Sequence, residues 1–496
     1  MFKREVITTS QAKLPNYASI QLSETSESII ETSPSFKKLK ILINSTIGYS
    51  EHSEEFSKIR RFDHSVYAAK QAHLLPSAKL TDYEKMCLEL ALLLHDVGHA
   101  LGSHTIDKLY HAMSENKNTA TPDISAYGYS KHDYHEYHTS KLVASTEYKT
   151  LFSNDQLLSD VLAILAFEDI RSQADKDKDY QFKIRPSLSG DQIKMLYTLK
   201  DWLDRLSYLE LEYLNCRDFS DQDKQNAIAA FERFRSSIEI KNNTAVIRQK
   251  RRPPEAMLIT QYDADIDESP AVEIIRLREQ LFNRSVYHPL SAAYDEYIMR
   301  GTRVHDATYS SVRRALSESP MSIFSPEVYR TLTHQSRYCL SRELVPLVTI
   351  DHYFLTSRGQ LAFQPYGACD FRQFTQLICA ENKYLASFGE LLLNDRISKE
   401  LSRPTELYVL KVKRPTKTFT YDTIDDSGII KPMTQRVNDT NNFSVIVALK
   451  LLRQQQVPAL IELSKDIVES EFKKRGWVYG ELNFQHLYNP NIFTEK

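Results

Sequence analysis

Glycine is scarce in this 496-residue chain, with 12 residues, and tryptophan scarcer still, with two. So few glycines, beside frequent Leu, Lys and Glu and a 3.6-residue apolar period through much of the first 300 residues, argue against a strand-rich architecture. No apolar run approaches the ~18 residues of a membrane span. The opening MFKREVITTSQAKLP has no apolar core of signal-peptide length, so a cytoplasmic protein without a membrane partner is the expectation. The five cysteines (Cys87, Cys216, Cys339, Cys369 and Cys379) are odd in number and widely spaced with no CxxC, which excludes a disulfide framework or zinc ribbon as an organising device. A formal net charge of −2 excludes a wholesale basic coat and gives no indication of nucleic acid as a partner. Any polyanion must be met by local clusters such as Arg60 and Arg61 or Lys200 with Arg205.

The stretch Leu88 to His104, LELALLLHDVGHALGSH, organises the rest. Seven residues, apolar apart from Glu89, deliver His95 and Asp96 side by side, and His99 and His104 follow within nine residues. Imidazole nitrogen and carboxylate oxygen are the usual donors for a borderline or hard divalent cation. Neighbouring helical residues point about 100° apart, so one cation reaches both only at a helix end or with further ligands from other helices. Two segments offer them. In IRRFDHSVYAAKQAHLL, Ile59, Phe62, Val66 and Ala69 recur at helical spacing and set His64 beside an apolar face. In TLKDWLDRLSYLELEYL, Asp204, Tyr208 and Glu212 lie four apart, a polar seam beside the leucines. Any one of these residues alone reads as an ordinary hydrogen-bonded histidine or surface carboxylate; their joint order decides for a metal set.

That order, His, then His-Asp, then a distant Asp, resembles the metal-dependent phosphohydrolases of the HD superfamily, and more closely their deoxynucleoside triphosphate triphosphohydrolase branch. RRFDHS is similar to an Arg-Phe-Glu-His-Ser motif and HDVGHALGSHTID to a His-Asp-x-Gly-His-x-x-x-Ser-His-x-x-Asp motif. His135-Glu136 is similar to a later His-Glu pair, LDRLSYLELE to an Asp-Lys/Arg-x-Asp-Tyr-x-x-x-Asp helix, and PSFKKLKILIN to Phe-x-Arg-Leu-Arg-x-Ile-x-Gln. The chain departs from the pattern at Lys38 and Lys40 (arginines there), Asn44 (a glutamine), and Ser207 and Glu212 (aspartates).

The resemblance covers roughly residues 34 to 300. It implies one divalent cation, of unspecified identity among Mn, Mg, Fe, Ni and Zn, held by His64, His95, Asp96 and Asp204. It further implies His104 as general acid oriented by Asp107, His99 and His135 beside it or on phosphate, and Arg61 and Arg205 on phosphate oxygens. Asn44, Tyr208, Glu212 and Tyr287 would contact the nucleotide. The implied reaction is hydrolysis of a dNTP to deoxynucleoside and triphosphate, by a homo-oligomer that also takes nucleotide effectors. An HD-type nucleotidase, a signalling-nucleotide hydrolase, and a catalytically silent binding protein are the alternatives.

The expected fold is mainly α, an HD-domain helical bundle with a small mixed α/β C-terminal appendage. Residues 1–33 read as an extended or partly ordered arm, 34–300 as the HD domain, 301–401 as a helical extension and 402–496 as the appendage. Helices are expected at about 55–75, ended by Pro76, from an N-cap at Thr81 with Glu84 completing a capping box, at 155–170, 191–214 and 276–298. Gly98 is expected to let the chain bend away after the His-Asp pair. The polar insertion 113–130 reads equally as a lid or as a disordered insertion, and the basic run 248–254 as a solvated loop or as a contact for phosphate of a substrate, effector or nucleic acid. Strands are expected at 406–413, 418–421 and 443–449, a turn at 425–428 and a helix at 458–475.

Overall fold

The computed structural model describes residues 20–42, 44, 59–75, 80–99, 103–104, 134–167, 186–216, 219–248 and 269–284, and the segments 344–352, 407–413, 417–425, 427–437, 443–450 and 483–485. These residues are mainly α-helical with a minority of strand. They fall into two compact units.

The first unit takes in Met1–Leu281 and Thr420–Thr434. Its helix α1 (Glu24–Thr32) lies in the segment expected as an extended or partly ordered arm. Ser23 caps it, Ile29 is fully buried, and the buried Glu89 carboxylate accepts the Ser23 N–H at 2.9 Å, the Ser23 hydroxyl at 2.6 Å and the Ser26 hydroxyl. A partner far along the chain orders a segment whose own composition is polar. Helix α2 (Pro34–Lys37) starts at its proline, and a 3₁₀ turn follows. Helix α3 (Arg61–Leu74) holds the described part of the expected 55–75 helix; residues 51–58 lie outside the described residues.

Helix α4 (Asp82–Leu94) opens with the expected capping box. Thr81 N–H donates to Glu84 Oε2 at 2.9 Å, and Glu84 N–H donates to Thr81 Oγ1 at 3.2 Å. Leu88, Leu90, Ala91, Leu92, Leu93 and Leu94 are all fully buried, so α4 is apolar nearly all round and runs through the middle of the unit. Around it come α5 (Tyr134–Val143), α6 (Thr146–Lys149), α7 (Asp155–Leu165), the 26-residue α8 (Gly190–Asn215), α9 (Asp221–Ser237) and α10 (Pro270–Arg284). Helices α3, α7 and α8 pack directly on α4. The expected helix at 276–298 is seen as far as Arg284, beginning six residues earlier than expected because Pro270 supplies its start; residues 285–298 lie outside the described residues.

A four-stranded sheet completes the unit, in the order β1 (Ile238–Lys241), β2 (Thr244–Arg248), β5 (Lys417–Ile424), β6 (Ile430–Val437). Strands β1 and β2 form a hairpin through Asn242 and Asn243, both left-handed with φ of 51° and 56°, which suits a two-residue turn between twisted strands. Strand β5 then adds in parallel, Ile247 opposite Thr423. The turn into β6 is the expected one: the Asp425 carboxylate accepts the Ser427 and Ile429 N–H groups at 3.0 and 3.1 Å, and Gly428 takes φ of 77°.

In the second unit, which includes Arg330–Phe419 and Gln435–Lys496, an antiparallel sheet runs β4 (Leu407–Lys413), β7 (Phe443–Lys450), β3 (Leu344–His352), β8 (Asn483–Gln485). Strand β3 corrects the expectation of helix up to 401. LVPLVTIDH is rich in β-branched residues, and β7 pairs it from Leu344 to His352. The expected helix at 458–475 lies outside the described residues. Among the described residues, no helix is long and apolar enough to cross a membrane.

Candidate metal centre

Three helices deliver the central group. His64 lies in the first turn of α3, His95 caps the end of α4, and Asp204 sits midway along α8. A buried polar network locks α3 to α8 one turn from His64: Glu210 accepts the Tyr67 hydroxyl at 2.6 Å and both terminal nitrogens of Arg235, from α9, at 2.9 and 3.2 Å. With the helices so fixed, His64 Nε2 stands 3.0 Å from Asp204 Oδ1, His95 Nε2 stands 3.1 Å from the same oxygen, and the two Nε2 atoms are 3.1 Å apart.

Hydrogen bonds on the far side of each ring fix its tautomer. His95 Nδ1 faces the Leu92 carbonyl at 2.6 Å and must donate. Ser207 donates its single hydroxyl proton to the Asp204 carbonyl at 2.7 Å and so accepts from His64 Nδ1 at 3.1 Å. With both rings neutral, the Nε2 lone pairs therefore point at each other and at a carboxylate oxygen. Such a cluster of donors repels itself unless a positive charge sits among them. Edges of 3.0 to 3.1 Å match adjacent corners of an octahedron with bonds of about 2.1 Å, so His64, His95 and Asp204 fit a divalent cation.

Asp96, the fourth expected ligand, lies against this group. Its carboxylate oxygens lie 3.6 Å from His64 Nε2 and 3.5 Å from His95 Nε2, while Oδ2 accepts Arg61 Nη1 at 2.6 Å and Oδ1 lies 3.2 Å from His99 Nε2. Burial alone would raise the pKa of this carboxyl; Arg61, His95 and His99 outweigh it and hold the group ionised well below the usual carboxylate range. Arg61 is oriented in turn by Ser103, whose hydroxyl accepts from Nε at 2.9 Å from a left-handed backbone with φ of 51°.

Beyond Asp96 lies a second group. His99, His104 and His135 each bring a ring nitrogen within 4.8 Å of the others. The rings of His99 and His135 stack at 3.9 Å, and His104 stands edge-on to both. Gly98 makes this possible by close approach: a Cβ there would lie 2.1 Å from the His135 carbonyl oxygen and 2.2 Å from Thr139 N. Its φ is not left-handed, so the expected helix-ending bend is not its reason. Thr139 fastens the contact, accepting the Gly98 N–H at 2.9 Å and donating to the His95 carbonyl at 2.8 Å.

On the other side of Arg61 three buried polar atoms lack a partner: Arg61 Nη2, Asn44 Oδ1 and Glu212 Oε2. Burial pushes the Glu212 carboxyl up to about 8, against the pull of Arg61 and a hydrogen bond from Asn44. Along α8, Arg205 pairs with Asp201 at 2.8 Å, and Arg278 from α10 donates to the Tyr208 hydroxyl at 3.3 Å, with Tyr208 itself 6.4 Å from the His64 ring. Asp107 and Tyr287 lie outside the described residues, as do the insertion 113–130 and most of the basic run. Arg248, which opens that run, pairs with Glu239 at 2.7 Å.

Two contributors, Thr139 and Arg278, escaped sequence reasoning, and nothing local marks either. Ser207 was visible only as a departure from the family pattern and Ser103 only as the serine of the His-Asp-x-Gly-His-x-x-x-Ser-His-x-x-Asp motif. No family model matches the chain, and no curated protein matches it.

Proposed function

We propose that this chain is a metal-dependent phosphohydrolase of HD type that cleaves deoxynucleoside triphosphates to deoxynucleoside and triphosphate. The observation that carries the reading is the convergence of two Nε2 lone pairs and one carboxylate oxygen from three helices. A divalent cation bound there would supply Lewis acidity toward a phosphoryl oxygen and make a bound water more acidic. The chain's own residues supply the rest. Arg61, anchored by Asp96 and Ser103, keeps Nη2 for a substrate oxygen. Arg205 and Arg278 flank Tyr208, each paired with a carboxylate, Asp201 and Glu279, that triphosphate oxygens would displace or share. Asn44 and Glu212 hold the remaining orphan atoms against the nucleoside, Glu212 arriving protonated at neutral pH and so able to donate. His104 protonates the departing 5′ oxygen, so that attack at the α-phosphorus releases intact triphosphate.

The test is a screen of the purified chain, loaded separately with manganese, magnesium, iron and zinc, against dNTPs, NTPs, monophosphates and cyclic dinucleotides, with the phosphate product identified. Triphosphate from a dNTP supports the reading, and Asp204→Ala must abolish its release. Release of pyrophosphate or orthophosphate instead would reassign the chain to another hydrolase of the same metal chemistry.

A further inference from the structure

The metal centre opens along α8. His64 and His95 keep 3% and 7% of their side chains exposed and Asp204 keeps 25%, so a substrate reaches the cation from the side on which α8 carries Asp204. Helical residues four apart share a face, which sets Tyr208 one turn after Asp204 and Lys200 one turn before it. Lys200 is 6% exposed, and among the described residues no carboxylate pairs with its ammonium and no oxygen accepts from it. It has instead the face of the Tyr197 ring, 5.3 Å from Nζ to the centroid, and that ring packs on Phe167 at 4.9 Å. The neighbouring Asp201 gives Oδ1 to Arg205 at 2.8 Å. The charge of Lys200 is nonetheless felt at the centre, where it opposes protonation of His95. Burial strips water from an ammonium, and a ring face replaces little of that hydration. A divalent cation at Asp204 adds repulsion. An oxyanion lying between the two positive charges relieves both.

We infer that Lys200 is a further binding residue of this centre, its ammonium taking an oxygen of the phosphoryl group that the cation holds. The charge of the site fits an anion of that class. His64 and His95 are neutral, and the cation, Arg61 and Lys200 together exceed Asp96 and Asp204, which favours a multiply charged phosphoryl group over a single carboxylate. The two cationic side chains differ in kind. Arg61 is held by Asp96 and Ser103 and offers Nη2 in one direction, whereas a lysine is a compact charge on a flexible stem that follows the oxygens as they move. The anion contact stands on burial and placement; its effect on turnover rests on the proposed phosphohydrolase reaction.

The full chain, loaded with manganese, is titrated with inorganic tripolyphosphate in a calorimeter at fixed ionic strength, as wild type, Lys200→Met and Lys200→Arg. Methionine keeps the stem and removes the charge; arginine keeps the charge. The expected result is a Kd raised about tenfold or more in Lys200→Met and held within about threefold of wild type in Lys200→Arg. Manganese per chain should stay at the wild-type level in both, which a misfolded variant would not show, and Lys200→Gln replaces Lys200→Met if methionine does not fold. On a dNTP, kcat/KM should fall with the charge and recover with arginine, a rescue that a purely structural lysine would not give. Unchanged tripolyphosphate binding in the charge-removing variant, or an equal loss in Lys200→Arg with manganese retained, would overturn the contact. Triphosphate released with equal kcat/KM by wild type and Lys200→Met would sink the contact and keep the reaction. Lys200-dependent tripolyphosphate binding in a chain that hydrolyses no dNTP would sink the reaction and keep the contact.

Discussion

Replacing Glu212 by glutamine isolates one buried charge whose cost can be worked out in advance. Glu212 is 5% exposed, and its carboxyl titrates at about 8 in the folded chain against an ordinary value of 4.5. Between those two pH values the folded chain holds a proton that the unfolded chain has released. Its contribution to stability is therefore complete below 4.5 and lost as pH rises toward 8. At ~1.4 kcal/mol for each pH unit the interval is worth about 5 kcal/mol. Relaxation and water entry around the charge reduce that to the order of 3 kcal/mol. Glutamine keeps the shape and stays neutral throughout. Urea denaturation of wild type and Glu212→Gln at a series of pH values should show the two nearly equal at about pH 5, within about 1 kcal/mol, and the variant more stable by the order of 3 kcal/mol above pH 8. Parallel stability curves across that range would refute the argument, because they would mean that the carboxyl ionises without penalty where Arg61 and Asn44 already meet it.

Three further outcomes follow from the same contacts. Ser207→Ala removes the hydroxyl that sets the His64 tautomer, and cation affinity measured by competition with a chromophoric chelator should fall about 10- to 100-fold with the fold retained. Gly98→Ala drives a methyl into the α5 backbone, so the chain should lose at least ~1–3 kcal/mol by urea titration together with some of its bound metal. Arg235→Met leaves the Glu210 carboxylate buried without its counter-charge at a cost of about 3 to 5 kcal/mol, and adding Glu210→Gln should recover much of that.

Local pattern made a good part of the molecule legible. The Thr81–Glu84 capping box, the apolar run of α4, the long α8 and the Asp425–Gly428 turn depend on neighbours within a few residues, and the structure has them where spacing and composition put them. The β1–β2 hairpin was equally readable, since Asn242 and Asn243 between alternating apolar residues mark a two-residue turn, yet it went unread. Helix α1 and strand β3 went unread for a different reason. The first is ordered by Glu89, 66 residues beyond Ser23, and the second by pairing with β7 about a hundred residues later. Neither partner can be inferred from the segment itself.

The order of histidines and aspartates along the chain was enough to nominate His64, His95 and Asp204 together, because ligand identity and helical placement are written in local sequence. What surrounds each of the four candidates was decided only by folding. Arg61 and His99 stand against the two oxygens of Asp96, an arrangement that depends on where α3 meets the end of α4. The same holds for the histidine trio. His99 and His135 are 36 positions apart in the sequence and stack at 3.9 Å because one glycine lets two backbones touch. Chemistry of a residue is carried by its side chain, but its company is set by tertiary packing.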